Sequence, residues 1–312
     1  MSMIATQTMH TMTTMHGIGP AHDELVPSRY ALRVGDIDVL VISDGVVTPP
    51  AESMATNADP AIRAAWLDER FLSHDAFDWA LNEVVVRSGG RTILIDSGLG
   101  VQVPDFKRAG HCVHRLEAAG IDLSSVTDVV LTHMHFDHVG GLLVDGVKEQ
   151  LRPDLRIHVS AAEVKFWASP DFSRTAMGPV LSEVARRAAR QFLDEYRGHL
   201  RLFEAEHEVA RGVVVTRTGG HTPGHSVIRL TSGGERLMFA GDALFPVSFD
   251  HPEWHNGFEH DPEEATRVRI DLMRELATTG AWLVATHMPF PSVGRVAAAG
   301  DLFRWVPAWW DY

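Results

Sequence analysis

Four side chains able to ligate a metal, His133, His135, Asp137 and His138, fall within six residues, directly after the apolar run 129–131 (Val-Val-Leu) and just before Gly140-Gly141. Burying several imidazoles and a carboxylate without a cation costs kilocalories for each group, so no ordinary core accommodates this segment. The fold must therefore end a buried strand near Leu131 and turn there. On extended chain, residues two apart point the same way, which lets His133 and His135 face one point; Asp137 and His138 address it from the turn towards a helix. Three further candidates each follow an apolar strand. They are His221 in Gly219-Gly220-His221-Thr222-Pro223-Gly224-His225, Asp242 after Phe239-Ala240-Gly241, and His287 after Leu283-Val284-Ala285-Thr286. Open α/β layers gather their ligands at the carboxyl ends of strands, so the seven residues together predict one convergent site.

The chain around them reads as alternating strands and helices from about Tyr30. Residues 39–42 (VLVI) end at Asp44-Gly45, a turn signal. Residues 84–87 and 92–95 flank Gly89-Gly90, and 227–230 and 237–240 flank Gly233-Gly234, which predicts two hairpins. A helix is expected over 107–119, stopped by Gly120, and an amphipathic one over 183–200. Asp261-Pro262-Glu263-Glu264 supplies an N-cap, a proline at the first helical position and acids in the first turn of a helix running to Gly280. Short strands are expected at 129–131, 157–159, 213–216 and 282–285, the last of these closing the fold. Each Gly-Gly hairpin delivers an aspartate, Asp96 or Asp242, to a glycine-bearing turn. This echo suggests two similar αβ halves packed sheet against sheet. The interior contains no linker, so residues 30–312 are expected to form one domain behind a flexible leader, residues 1–29, rich in Met, Thr and His.

Charge and cysteine content narrow the function. Lys plus Arg number 28 against 41 Asp plus Glu, a formal net charge of −13, which repels polyanions and argues against nucleic acid or an anionic membrane as partner. The single cysteine, Cys112, excludes an internal disulfide and any Cys-rich zinc module, and reads as a small buried apolar group. No apolar run reaches the roughly 18 residues a membrane helix needs, and no secretory signal opens the chain, so a cytoplasmic location is expected. The aromatic end, Trp305 to Tyr312, is too short to span a bilayer and reads as packing onto the body or a second subunit.

His-x-His-x-Asp-His, then a lone His, a Gly-Asp and a final His in this order, resembles the metallo-β-lactamase-fold hydrolase superfamily over nearly the whole chain from about residue 32. The opening Gly35 to Gly45 and the ending His287-Met288-Pro289-Phe290-Pro291, with Arg304-Trp305-Val306-Pro307, are similar to the branch containing methyl parathion hydrolase and related lactonases. The resemblance implies an α/β four-layer αββα sandwich, two mixed sheets with helices outside. It also implies two divalent metal ions per chain, with zinc the expected metal. His133, His135 and His221 would hold one ion and Asp137, His138 and His287 the other, with Asp242 bridging. Three imidazoles leave a position open for water, and the absence of a thiolate suits a borderline metal. The implied reaction is cleavage of a lactone, ester or organophosphate-type substrate by a hydroxide shared between the ions, with Asp137 or Asp242 shuttling the proton.

The substrate is expected to be small, uncharged and fairly apolar, in a pocket walled by Phe136, Trp167, Phe245, Trp254 and Phe290. Asp96 and His225 are expected behind the ligands, fixing them by hydrogen bonds. Acyl-homoserine lactonases of the superfamily carry a tyrosine three residues after the bridging aspartate. Phe245 stands there in this chain, so a phenolic donor is missing. A hydrolytic dehalogenase on the same site and a non-catalytic metal-binding sensor are the alternatives; an intact set of seven ligands favours an enzyme. The resemblance allows a homodimer.

Overall fold

The computed structural model describes residues 27–309. Among the described residues the apolar runs form two seven-stranded sheets, each with its strands in chain order. The first contains β1 (Arg29–Val34), β2 (Ile37–Val47), β3 (Trp79–Ser88), β4 (Arg91–Ile95), β5 (Asp128–Val130), β6 (Arg156–Ser160) and β7 (Leu200–Phe203). It is antiparallel from β1 to β4 and parallel from β4 to β7. The second contains β8 (Glu206–Ala210), β9 (Val213–Arg217), β10 (Ser226–Ser232), β11 (Glu235–Phe239), β12 (Trp282–Val284), β13 (Gly294–Ala299) and β14 (Leu302–Pro307). Its one parallel pair is β11 with β12. The helices are α1 (Pro60–Asp68), α2 (Cys112–Ala118), α3 (Phe136–Val139), α4 (Val147–Gln150), α5 (Ala161–Trp167), α6 (Gly178–Tyr196) and α7 (Pro262–Thr279).

Alternation along the strands separates three apolar cores and so defines four layers. Val39, Val41, Val84, Val86, Ile93 and Ile95 meet Val213, Val215, Ile228, Leu230 and Phe239 between the sheets. The opposite face of the first sheet, with Ile42, Val85, Leu94, Val129 and Ile157, packs under α2 and α6 through Leu116, Ala188, Ala189 and Phe192. The opposite face of the second, with Val227, Met238 and Leu283, packs under α7 through Leu272, Met273 and Leu276. Strands covered on both faces are apolar throughout, which is why they read as runs in the sequence. The arrangement is the α/β sandwich of two mixed sheets. Both Gly-Gly hairpins are present, and in each half the hairpin's second strand pairs parallel with the next.

Local expectations need correcting in four places. Asp44-Gly45 is not a turn: β2 runs through it with a bulge between Ser43 and Gly45. Gly45 has φ +124°, and a Cβ there would lie 2.0 Å from the Arg108 carbonyl oxygen. Residues 107–111 are not helical, because the Asp44 carboxylate draws the N–H groups of Gly110 and Cys112 onto itself at 2.9 and 2.6 Å. The helix expected to reach 200 ends at Tyr196, and Leu200 opens β7. Residues 282–285 do not close the fold. β13 and β14 follow, and their small or exposed residues carry little apolar pattern.

Trp305, in β14, packs its ring 5.7 Å from that of Phe249. Of the expected leader only residues 27–29 are described, and Arg29 already begins β1. Residues 310–312 also lie outside the described residues. No described helix is long and apolar enough to cross a membrane.

Candidate metal centre

The fold brings all seven predicted ligands together at the carboxyl ends of central strands. β5 lies between parallel neighbours, and the chain beyond it carries His133 and His135 into the short α3, which holds Asp137 and His138. In the second sheet Phe239 of β11 pairs with Val284 of β12, so Asp242 and His287 stand equal steps beyond one register position. His221 comes from the loop between β9 and β10.

Two groups form. His135 Nδ1 lies 2.9 Å from His133 Nε2 and 3.0 Å from His221 Nε2. Asp137 Oδ2 lies 3.8 Å from His138 Nε2 and 3.6 Å from His287 Nε2. Asp242 reaches both: its Oδ2 is 3.4 Å from His221 Nε2 and 3.0 Å from His287 Nε2, and its Oδ1 is 3.3 Å from His138 Nε2. The facing atoms of His133, His135 and His221, and of Asp137, His138 and His287, are close enough to share an ion. His138 Nε2 and Asp242 Oδ1 are buried without a hydrogen-bond partner, an arrangement costly in protein alone. Imidazole nitrogens and carboxylate oxygens with such orphaned atoms fit divalent cations of borderline softness.

The far sides of the ligands are held by buried partners. Asp96, with φ +57°, accepts the His138 Nδ1–H at 2.8 Å and the Thr132 N–H and hydroxyl at 2.8 and 2.7 Å. The Thr132 hydroxyl oxygen is in turn 3.0 Å from His133 Nδ1. His225 Nε2 accepts the Asp242 N–H at 3.1 Å, which leaves the Nδ1 proton to point at the Thr218 hydroxyl, 2.8 Å away. His287 Nδ1 donates to the Ala80 carbonyl at 2.9 Å.

Three contacts were not foreseen from the sequence. Asn82 donates to the Thr286 and Met288 carbonyls on either side of His287, both at 2.7 Å. His260 Nε2 faces His135 Nε2 at 3.4 Å, and its Nδ1 donates to the Asp171 carbonyl. Glu163, in the first turn of α5, bonds to the loops flanking His133 and His221. Each depends on long-range placement, and nothing local in the sequence signals it. Asp44, Glu83 and Cys112 form another buried group, but the Asp44 carboxylate is engaged by the N–H groups of Leu99, Gly110 and Cys112.

The two ligand groups differ electrostatically. Burial, then the neighbouring imidazoles, hold His133 and His135 well below the usual histidine range, and burial does the same for His221 despite Asp242. Burial also lowers His138, but Asp242, Asp96 and Asp137 outweigh it and lift that ring well above the range. His287 is raised in the same way by Asp242 and Asp137. Burial raises Asp137, whereas His287, His138 and His221 overcome burial at Asp242 and hold it low. Burial pushes His225 and His260 down to about 4, so both rings are neutral at pH 7. Burial also lifts Glu163, although four hydrogen bonds oppose it.

A cavity of about 250 Å³ opens onto His135, Asp137, Asp242 and His287, with apolar walls from Trp79, Phe106, Phe136, Met177, Phe245 and Phe258. Of the five aromatic residues expected there, Phe136 and Phe245 line it, the latter stacked on His287 with rings 5.4 Å apart. The other three lie elsewhere. Trp167 is behind His135 and donates its indole N–H to Glu163 at 2.7 Å. Trp254 stacks on His251 at 3.8 Å, and Phe290 packs against the core between the sheets. Aromatic content in the sequence does not say which way a ring faces.

Residues 80–287 match the family model described as the metallo-beta-lactamase superfamily. A probable metallo-hydrolase of Mycobacterium tuberculosis is 26% identical over an alignment of 197 positions that covers 55% of this chain. The chain spans only 59% of the length of that relative. An N-acyl homoserine lactonase of Azorhizobium caulinodans is 27% identical over 233 residues, covering 66% of this chain and 80% of the relative. Among solved structures, AidC, described as a dizinc quorum-quenching lactonase in complex with a product, superposes with a TM-score of 0.84 at 26% identity, covering 91% of this chain and 99% of the other.

Proposed function

The chain belongs to the metallo-beta-lactamase superfamily, and from that premise we propose that it is a dinuclear-metal hydrolase of lactones, esters or organophosphate-type substrates. The observation that carries the reading is the Asp242 carboxylate, within 3.4 Å of imidazoles from both ligand groups. One ion would be held by His133, His135 and His221 and the other by Asp137, His138 and His287, with Asp242 common to both and zinc the proposed metal. Two such cations, when bound, acidify a shared water and polarise the substrate's carbonyl or phosphoryl oxygen.

The chain's own residues do the rest. Asp137 and Asp242 line the cavity, so either carboxylate can take a proton at its Oδ atoms and return it to the leaving group. Asp96 and His225 fix His138 and Asp242 from behind. The apolar walls exclude water and select a small, uncharged acyl or aryl group over a charged one. Similarity to the lactonase relatives supports acyl-homoserine lactones as one candidate substrate class, while the Phe245 ring has no phenolic hydroxyl to offer an oxyanion.

The test is elemental analysis of the purified protein together with a panel of lactones, aryl esters and phosphotriesters ranked by kcat/KM. About two ions per chain, turnover abolished by chelation and restored by metal, supports the reading. Undiminished turnover in fully stripped protein overturns it, and tight metal binding without turnover on any substrate favours a sensor.

A further inference from the structure

We propose that Glu163 is a positioning residue that sets the spacing between the loop carrying His133 and His135 and the loop carrying His221, so that the three imidazoles converge before a cation arrives. The inference rests on the reading of those three rings as ligands of one ion.

Glu163 is fully buried and belongs to neither ligand loop. Its Oε1 accepts the N–H of Met134, the residue between His133 and His135, at 2.9 Å, and the Trp167 indole N–H at 2.7 Å. Its Oε2 accepts the Thr222 hydroxyl at 2.7 Å and the Gly224 N–H at 2.9 Å, both just beyond His221. One carboxylate thus ties together loops rooted in different sheets. The backbones are pressed close: a Cβ on Gly224 would lie 2.2 Å from the Glu163 nitrogen.

Four donors converge on the four in-plane lone pairs of one carboxyl group, a demand that an amide cannot meet. Gln keeps the shape of Glu but turns an NH2 group towards two of the donors, so one loop must move. Ligand geometry tolerates displacements of only about 0.5 Å, so a shift of either loop reaches the metal affinity. Ser226 N–H also bonds the Thr132 carbonyl at 2.9 Å, joining the roots of the two loops. Glu163 fixes them nearer the rings, at Met134 and Thr222.

The decisive experiment measures zinc affinities by competition with a chromogenic chelator for the wild type, Glu163→Gln, Thr222→Val and Trp167→Phe, alongside thermal midpoints of the metal-free proteins. His221→Ala serves as the reference for losing the three-histidine ion. Glu163→Gln should weaken that ion by about 10–100-fold and Thr222→Val by about tenfold, with the other ion less affected. Trp167→Phe removes a bond that ties no ligand loop while keeping an aromatic ring behind His135, and should stay within about threefold of wild type.

Wild-type affinities in Glu163→Gln and Thr222→Val, whatever their thermal midpoints, reduce Glu163 to a structural residue and overturn the proposal. So does an equal loss in Trp167→Phe. Should Glu163→Gln fail to fold, the contrast between Thr222→Val and Trp167→Phe decides. A wild type that binds no zinc, or binds it no better than His221→Ala, indicts the ligand assignment instead.

Discussion

The two ends of strand β5 bury the same chemical groups to different ends. At the amino end, Asp128 is wholly enclosed beside His158. Its Oδ1 accepts from Arg91 and from His158, the latter at 2.8 Å, and its Oδ2 accepts from Arg91 Nε and the Thr127 hydroxyl at 2.6 and 2.7 Å. Arg156 stands 3.1 Å away. At the carboxyl end, His138 and Asp242 are also buried, and their facing atoms, Nε2 and Oδ1, lie 3.3 Å apart without a hydrogen bond. Guanidinium groups keep their protons at any physiological pH, so the first carboxylate has permanent counterions. The nitrogens nearest Asp242 are imidazoles, which act as cations only when protonated. A buried Asp–His pair is therefore not a site in itself; both ends leave buried polar atoms unbonded, His158 Nδ1 and Arg156 Nε at the amino end, and what distinguishes the carboxyl end is the lack of a guanidinium counterion and the adjoining cavity.

The largest effect expected is at the residue common to both ligand groups. Asp242→Ala should lower kcat/KM on the best substrate by on the order of a thousandfold or more, about 4 kcal/mol of transition-state stabilisation. Metal analysis should show fewer ions retained per chain. A variant that keeps both its ions and its turnover would remove Asp242 from the centre and erase the distinction between the two ends of the strand.

That distinction was only partly legible in the sequence. The four proposed ligands from His133 to His138 are local, so their spacing after an apolar run announces them. Asp242 and His287 are separated in sequence but follow strands whose runs are equally plain. The partners behind them depend on which strands become neighbours. Asn82, with Glu83 beside it, lies just before the apolar run at 84–86, and only β3 brings it under Thr286 and Met288. Asp128 reads as a strand-opening acid until β4 and β6 supply Arg91, Arg156 and His158. The same gap explains the misplaced helix at 107–111, where backbone N–H groups turn towards Asp44, a residue more than sixty positions earlier. Periodicity reports which face of a segment is apolar; it carries no information on hydrogen bonds made across the fold.

A middle-sized effect tests whether the carboxyl end relies on oriented ligands. Asp96 adopts φ +57°, a conformation that asparagine tolerates well, so Asp96→Asn should leave the backbone in place. It removes the carboxylate from the His138 Nδ1–H. Affinity for the ion assigned to Asp137, His138 and His287 should fall by about 10–100-fold, with a smaller change at the three-histidine group. Equal losses at both groups would show that Asp96 supports the loop as a whole and does not act through His138.

The smallest effect on catalysis belongs to the amino end, and it should appear as stability alone. Burial pushes the Asp128 carboxyl up, but hydrogen bonds from His158, Arg91 and Thr127 outweigh burial and hold it well below the usual carboxylate range. A carboxyl depressed on folding stabilises fully above its unfolded value of about 4 and loses that contribution as pH falls through the folded value. Asp128→Asn should therefore cost about 2 kcal/mol at pH 7, a figure moderated because Arg91 and Arg156 are partly solvated. The deficit should narrow on acidification below about pH 4, where the unfolded wild-type chain takes up a proton that the folded carboxyl still excludes. Urea unfolding at several pH values measures the deficit, and zinc titration at pH 7 checks that affinity and kcat/KM are unchanged in the folded variant. A loss of zinc affinity comparable to that of Asp96→Asn would mean that β5 transmits strain from one end to the other, and that the two ends are a single functional unit.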